Sequence, residues 1–149
     1  MKYTGRQGWK ASRKDTWSLT HTFNPMILAG LRAFRDIEKH GVPSCIVDHE
    51  ASEKDWKTEI ARADKEWHEI LDKMIYAFDE SNDPDMDNYD FHFKREKIEE
   101  ESSEHFTRVK LKVIGEDEHA RYIEDEEHYK IKRQEGLDLF AKYYNDLWW

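Results

Sequence analysis

A long apolar stripe in the middle of the chain constrains the fold most. Between residues 53 and 79, apolar side chains return every three or four positions, which is typical of one face of an amphipathic helix. Ser52 and Asp55 resemble the start of a capping box, and Pro84 lies beyond the end of the pattern. We therefore predict a helix over 53–79. Its core-facing residues are Trp56, Ile60, Ala63, Trp67, Ile70, Leu71, Met74, Ile75 and Phe78.

A second helical pattern runs to the end of the chain. It predicts a helix from about Glu118 to Trp148, in which Gly136 is a tolerated weak point. The last turns carry the large apolar residues Phe140, Tyr143, Tyr144, Leu147 and Trp148. Because this surface is costly to leave in water, the segment docks either on the chain's own core or on a second copy as an oligomer seam. The sequence leaves both options open.

The region before the central stripe predicts a helix with a break. Apolar residues recur at helical spacing between residues 16 and 40, and Pro25 interrupts them. Either one kinked helix begins near Asp15, or a short turn precedes a helix over 25–40. Gly41 suits the position just after the end of this helix.

The region after the central stripe is less regular. Six acidic residues between 79 and 90 predict a solvated loop. We favour a weak helix over 94–106 and leave 107–114 open, because alternating apolar residues there also suit a strand. The predicted fold class is all-α. It is a small helical bundle of three to four helices with a charged irregular insertion and a possible short β element near 107–114.

Charge is distributed unevenly along the 149 residues. Residues 1–14 contain five Lys/Arg and no acid, and because the whole chain carries −9, residues 15–149 carry −14. This pattern predicts a flexible basic arm at 1–14 and a single helical domain at 15–149. The acidic body repels polyanions, so we expect no nucleic-acid partner, although Tyr3 and Trp9 in the arm could stack on a single strand.

The sequence also predicts the compartment. Cys45 is the one cysteine and can form no internal disulfide, which fits a reducing environment. No apolar run approaches the roughly 20 residues that a membrane-spanning helix needs. The N-terminus also lacks the apolar segment of a secretion signal. We expect a soluble cytoplasmic protein with no membrane partner.

Three acidic patterns resemble metal sites without completing one. Asp83–Asp87 lacks the glycine and the final glutamate of a calcium loop. Glu116–His119 contains one Glu-x-x-His step, whereas di-iron bundles need two. A third pattern has the carboxylate spacing of helical, Mg²⁺-dependent nucleotide pyrophosphohydrolases, but on one helix. Its residues are Glu124, Glu127, Glu135 and Asp138. We predict no catalytic residue, no metal ligand and no cofactor.

Three segments carry a family resemblance. The first runs from Trp17 to Phe34. The second, from Trp67 to Phe78, contains Trp-His-Glu-Ile-Leu-Asp-Lys-Met-Ile, and the third, from Glu135 to Trp148, contains Glu-Gly-Leu-Asp-Leu-Phe-Ala-Lys-Tyr. Together they resemble a group of small, functionally uncharacterised proteins of tailed bacteriophages. Residues 80–120 match nothing in that group and look like a variable insertion.

The resemblance implies a non-enzymatic accessory protein in the cytoplasm of an infected bacterial host. Such a protein would bind and interfere with a host pathway as an antidefence factor. It would either inhibit a host protein or sequester a small signalling nucleotide. The candidate binding residues are Asp72, Lys73, Lys142, Tyr143, Arg32 and Arg35. Asp72, Lys73 and Lys142 could instead be charges on the helix surface, or form a salt bridge between helices that fixes the packing.

Two other functions stay open. The first is an enzyme of the helical, Mg²⁺-dependent nucleotide pyrophosphohydrolase type, which requires the spaced carboxylates to face other carboxylates across a cleft. The second is a structural or assembly protein that forms a homo-oligomer through its aromatic C-terminal helix.

Overall fold

A computed structural model of the chain is mostly helical and also contains antiparallel strand pairs. It describes residues 2–3, 9–10, 12–13, 18–37, 41–52, 55–98 and 108–147. Contacts divide the chain into two compact units. The first comprises residues 1–82 and 131–149, and the second comprises residues 83–130.

The first helix, α1, spans Leu19–Arg35 and runs continuously through Pro25. Of the two predicted alternatives, the structure therefore contains the single helix rather than a turn followed by a helix at 25. The proline is tolerated in the second turn, where the neighbouring Asn24 is buried and donates from Nδ2 to Oε1 of Glu80 at 3.0 Å. The helix begins at Leu19, later than the predicted start near Asp15, because Ser18 is extended, and it ends at Arg35, before the predicted limit at residue 40. Residues 14–17 and 38–40 lie outside the described residues.

The second helix, α2, spans Trp56–Phe78, as the central stripe predicts. It contributes six of the ten buried apolar residues among those described, and Trp67, Leu71 and Met74 are fully buried. The stripe is not buried over its whole length, since Trp56 is 42% exposed. The expected capping box is absent among the described contacts. Ser52 Oγ instead donates to the side chain of Asp55 at 2.5 Å, and Asp55 makes no side-chain cap bond.

The third helix, α3, spans Glu116–Tyr143 and is followed by a short 3₁₀ turn at Tyr144–Asp146. It is shorter than predicted, because the chain leaves α-helical geometry once Tyr143 has reached the core. Residues 131–143 belong to the first unit. There the Phe140 ring packs edge-on against Phe78 with centroids 4.9 Å apart. Phe140 and Tyr143 of the C-terminal segment therefore pack on the chain's own core, whereas Trp148 and Trp149 lie outside the described residues.

The second unit contains a β-ribbon where part of a helix was predicted. Strand β3, His92–Lys97, pairs antiparallel with strand β4, Val109–Ile114. The prediction of a helix over 94–106 is wrong for residues 94–97. The physical reason is that the alternating β4 sequence favours an extended strand, and this strand needs a partner for its main-chain groups. Residues 99–107 lie outside the described residues.

Aromatic side chains anchor the base of the ribbon within the second unit. Phe91 and Phe93 both contact the ring of His119 in α3, with centroids 4.9 and 5.7 Å apart. The Tyr89 hydroxyl donates to Asp125 at 2.7 Å, and this bond raises the pKa of Tyr89. Gly115 joins β4 to α3 with φ of +86°, and a side chain there would also collide with the main chain at residues 90 and 91.

The basic arm is partly visible. Lys2–Tyr3 pairs antiparallel with Trp9–Lys10, in two strands of two residues each (β1 and β2). Ser12 and Arg13 are the other arm residues that the structure describes. The rest of the predicted flexible arm lies outside the described residues. Within the described ranges, no helix is both long and apolar enough to cross a membrane.

Candidate functional site

The predicted binding residues lie mainly in contacts between helices of the first unit. Arg35 at the end of α1 contacts Asp72 of α2 through two pairs of atoms. Nε lies 2.5 Å from Oδ1, and Nη2 donates to Oδ2 at 3.1 Å. Both side chains are partly exposed, at 37% and 53%. The contact matches the interhelical salt bridge that the sequence offered as the alternative to a binding role.

Arg32 is engaged one turn earlier on α1. Its Nη2 donates to Oδ2 of Asp79 at 2.5 Å, just beyond the end of α2. Asp79 also accepts from the hydroxyl and the amide of Ser81, at 2.7 and 3.1 Å. The Ser81 bonds, followed by the charge of Arg32, hold the pKa of Asp79 below its ordinary value. Asp79 is therefore ionised at neutral pH and bound to the cation.

Lys73 links α2 to α3, since its Nζ donates to Oε1 of Glu135 at 2.6 Å. The two residues line a concavity of about 300 Å³, together with Asp72, Tyr76 and Lys132. Lys132 Nζ lies 5.9 Å from the centre of the Tyr76 ring, a cation–π geometry. This pocket combines one aromatic ring with charges of both signs, and it brings together two of the six predicted residues.

Lys142 and Tyr143 have separate roles. Tyr143 is 5% exposed, and its ring contacts Trp67 with centroids 5.3 Å apart. It is a core residue. Lys142 Nζ lies 4.6 Å above the Tyr143 ring. A side-chain hydrogen bond with Tyr143 is the main cause that raises the pKa of Lys142. Neither residue lines the pocket at Lys73.

An apolar groove along α1 was not predicted. It encloses about 440 Å³ and is lined by Ile27, Gly30, Leu31, Ala33, Phe34, Ile37, Phe140 and Leu147. Only Leu31 and Phe34 of these belong to the buried core. The signal in the sequence was that α1 has more apolar residues than one core-facing stripe accommodates. The surplus remains in water, and Phe23 and Met26 nearby are 38% and 44% exposed.

The acidic patterns do not assemble a metal site. Asp85 accepts from the amide of Asp87 in a local turn, and Glu135 is occupied by Lys73. Asp138 accepts from Gln134 at 2.8 Å. Over the ranges that the structure describes, no group of three or more His, Cys, Asp or Glu side chains is arranged to ligate a metal ion.

In comparisons with known proteins, the chain matches no family model, no curated protein and no solved structure.

Proposed function

We propose that the chain is a non-enzymatic binding protein that accepts an apolar segment of a partner protein in the groove along α1. The observation that carries this proposal is the groove, which is large, open and lined by apolar residues. Exposed apolar concavities of this kind mark interaction sites, because burying them removes unfavourable contact with water. The helices of the first unit would form a small bundle that supports the groove.

The charges around α1 favour a protein partner over a nucleotide. A nucleotide in this groove would need free cations for its phosphates. The two arginines of α1 are already engaged, Arg32 by Asp79 and Arg35 by Asp72. Apolar side chains of a docking helix or loop need no such partners. Taken with the resemblance to small tailed-phage proteins, the proposed role is an antidefence accessory protein that inhibits a host protein.

The test uses a photo-crosslinking amino acid at Ala33, an exposed residue that lines the groove. We expect a covalent adduct with one bacterial protein in infected cells and nanomolar-to-micromolar binding when that protein is purified. Ala33→Glu should weaken binding at least about tenfold, because a charge in an apolar interface loses its hydration. Ala61→Glu on the exposed side of α2 is the matched control. Equal binding by the two variants contradicts the proposal.

A second candidate, sequestration of a small nucleotide, is favoured by the pocket at Lys73 and Tyr76. Tyr76 could stack on a base, while Lys132 could contact a phosphate. Native mass spectrometry of gently purified protein would detect a retained nucleotide-sized mass, and Tyr76→Ala should abolish it. Protein that retains no small molecule and is not stabilised by added nucleotides contradicts this candidate.

The other two functions gain less support from the described contacts. The hypothesis of a Mg²⁺-dependent hydrolase requires Glu135 to face a second carboxylate, whereas Glu135 faces Lys73. The hypothesis of an assembly protein requires the C-terminal aromatic side chains to be exposed for contact with a second copy, whereas Tyr143 is buried in its own chain. Of the described C-terminal aromatics, Tyr144 remains the exposed one, at 63%.

A further inference from the structure

The β3–β4 ribbon of the second unit is exposed on both faces. Six residue pairs stand opposite each other, from His92 with Ile114 to Lys97 with Val109. Every ribbon residue is exposed except Val113, which is half-buried. A two-stranded ribbon that packs so little of itself gains little stability from burial. Its surface is therefore free to serve another purpose.

The ribbon is basic although the chain is acidic. Residues 92–97 and 108–114 contain six Lys/Arg and one Glu, while the whole chain carries −9. Lys94 and Lys112 stand directly opposite each other across the two strands. A like-charge pair at this position is destabilising unless an anion lies nearby. The repulsion between the two lysines therefore destabilises the free protein, and an anionic partner would remove it.

Four of the six cations of the ribbon are available. In the part of the chain that the structure describes, Lys94, Arg95, Lys110 and Lys112 make no ion pair or side-chain hydrogen bond. This contrasts with the first unit, where Arg32, Arg35 and Lys73 are each bound to a carboxylate. The charges of these four ribbon side chains are therefore exposed to solvent.

One face of the ribbon is both basic and apolar. Because side chains alternate along a strand, residues 93, 95 and 97 share a face with 109, 111 and 113. Phe93 pairs with Val113 there, and Arg95 pairs with Leu111. Leu111 is 56% exposed and Phe93 is 46% exposed. The opposite face carries Lys94, Lys110 and Lys112. A third strand that fits both faces therefore alternates acidic residues, which lie on the lysine face, with apolar residues, which lie on the face of Phe93 and Leu111.

The strands also offer open edges. Within the described residues, β3 and β4 each have one strand neighbour, so the main-chain groups on their outer sides have no strand partner. Such an edge accepts an extended segment as a further strand, with main-chain hydrogen bonds for affinity and side-chain contacts for specificity.

We propose that the β3–β4 ribbon binds an acidic, extended segment of a protein partner, in which acidic and apolar residues alternate, by adding it as a third strand. This surface is independent of the groove along α1. The cations pair with the acidic side chains, the exposed apolar residues cover the alternate positions, and the open edge pairs with the main chain. Binding relieves the repulsion between Lys94 and Lys112.

Nucleic acid fits this surface less well. A two-stranded ribbon has the dimensions of a DNA major groove. However, acids flank the ribbon in the sequence, with Asp90 before β3 and Glu116–Glu118 after β4, and they would repel a long polyanion. Phosphates also make no favourable contact with the apolar side chains of Phe93 and Leu111. A second copy of the ribbon is disfavoured because its charge has the same sign.

The test measures fluorescence anisotropy of a labelled short peptide of alternating Glu and Val on the full-length protein. We expect saturable binding that weakens as ionic strength rises. The variant is the double substitution Lys94→Glu and Lys112→Glu, which inverts the charge but keeps a like-charge pair, so the ribbon's own stability changes little. It should weaken binding at least about tenfold.

The control is Lys57→Glu with Lys65→Glu on exposed positions of α2, which changes the net charge equally. An equal loss in the control means that only net charge matters and overturns the proposal. Tighter binding of a short random DNA duplex also overturns it, in favour of nucleic acid. Hydrogen exchange should slow at amides of β3 or β4 when the peptide binds, and protection confined to other residues overturns the strand addition.

Discussion

Gly136 of α3 lies directly against the main chain of Lys73 in α2. A Cβ atom at Gly136 would collide with the carbonyl oxygen of Lys73, and it would lie 2.6 Å from Cβ of Ala77. The glycine is therefore not a weak point that the helix tolerates. It is the position at which the two helix backbones come close enough for the Lys73–Glu135 ion pair and the Phe78–Phe140 contact to form beside it.

Replacing this glycine should lower stability. In an open helix, Gly→Ala stabilises by about 1 kcal/mol, because alanine has the higher helix propensity. At Gly136 overpacking reverses the sign, and we expect a loss of about 1–3 kcal/mol in the free energy of unfolding. Gly30 in α1 is the matched control, since nothing lies within 4 Å of its added Cβ. Urea unfolding of both variants tests this, and a stabilised Gly136→Ala would disprove the close packing.

Glu59 and Arg62 of α2 fasten the loop at 41–52. Glu59 accepts from Arg62 Nη2 at 2.6 Å and from the amide of Asp48 at 2.7 Å. Arg62 Nη2 also donates to the carbonyl oxygen of Ile46 at 2.7 Å. Mainly through the Arg62 bond, and next through the Asp48 amide, the pKa of Glu59 falls from 4.5 to about 2. Ile46 is a core residue, so this network connects a surface charge to packing.

The Glu59 network predicts a specific dependence on pH. A carboxylate whose pKa is lowered on folding stabilises the native state fully above its unfolded pKa, and this contribution is lost as pH falls through the folded value. Wild type should therefore be more stable than Glu59→Gln at neutral pH. The difference should shrink between pH 4.5 and about 2. Urea unfolding at several pH values measures it.

Glu69→Gln is the control for this experiment. Glu69 lies 3.8 Å from Lys65 on the exposed side of the same helix. We expect its substitution to change stability much less, because exposed pairs at this spacing contribute about 0.5 kcal/mol or less. A difference between wild type and Glu59→Gln that does not vary with pH would contradict the assigned role of Glu59.

The helices could be predicted because burial leaves a periodic pattern. Trp67, Leu71 and Met74 are spaced so that they face one core, and the structure buries all three. β3 could not be predicted in the same way. Its sequence His-Phe-Lys-Arg-Glu-Lys is exposed at every position, so neither face left a pattern of apolar residues. Its extended state depends on pairing with β4, a contact distant in sequence.

The candidate sites were harder to predict for a similar reason. With 38% charged residues, each cation has many potential acidic neighbours along the sequence. Only the packing of α1 on α2 selects Asp72 for Arg35 and Asp79 for Arg32. The groove along α1 depends on which apolar residues the rest of the chain leaves uncovered, and periodicity does not contain that information.

Tyr143 and Tyr144 should differ sharply although they are neighbours. Tyr143→Ala removes a buried ring from Trp67, and we expect a loss of about 3–5 kcal/mol in the free energy of unfolding. Tyr144 is 63% exposed and contacts Phe140 edge-on, so Tyr144→Ala should cost about 1 kcal/mol or less. Urea unfolding followed by tryptophan fluorescence compares them. Equal, small losses for the two variants would contradict the core position of Tyr143 and favour an oligomer seam in the C-terminal segment.

The Arg35–Asp72 pair allows packing and binding roles to be separated. We expect Arg35→Gln and Asp72→Asn to be coupled by about 0.2–1 kcal/mol in a double-mutant cycle of unfolding free energies, because both partners are partly exposed. The exposed pair Lys65–Glu69, whose atoms are 3.8 Å apart, should show less coupling. The same variants are then titrated with the partner identified by cross-linking. If the pair serves packing alone, the double variant binds that partner as tightly as wild type does. Loss of binding with no coupling in stability would instead place Arg35 and Asp72 in the surface that contacts the partner.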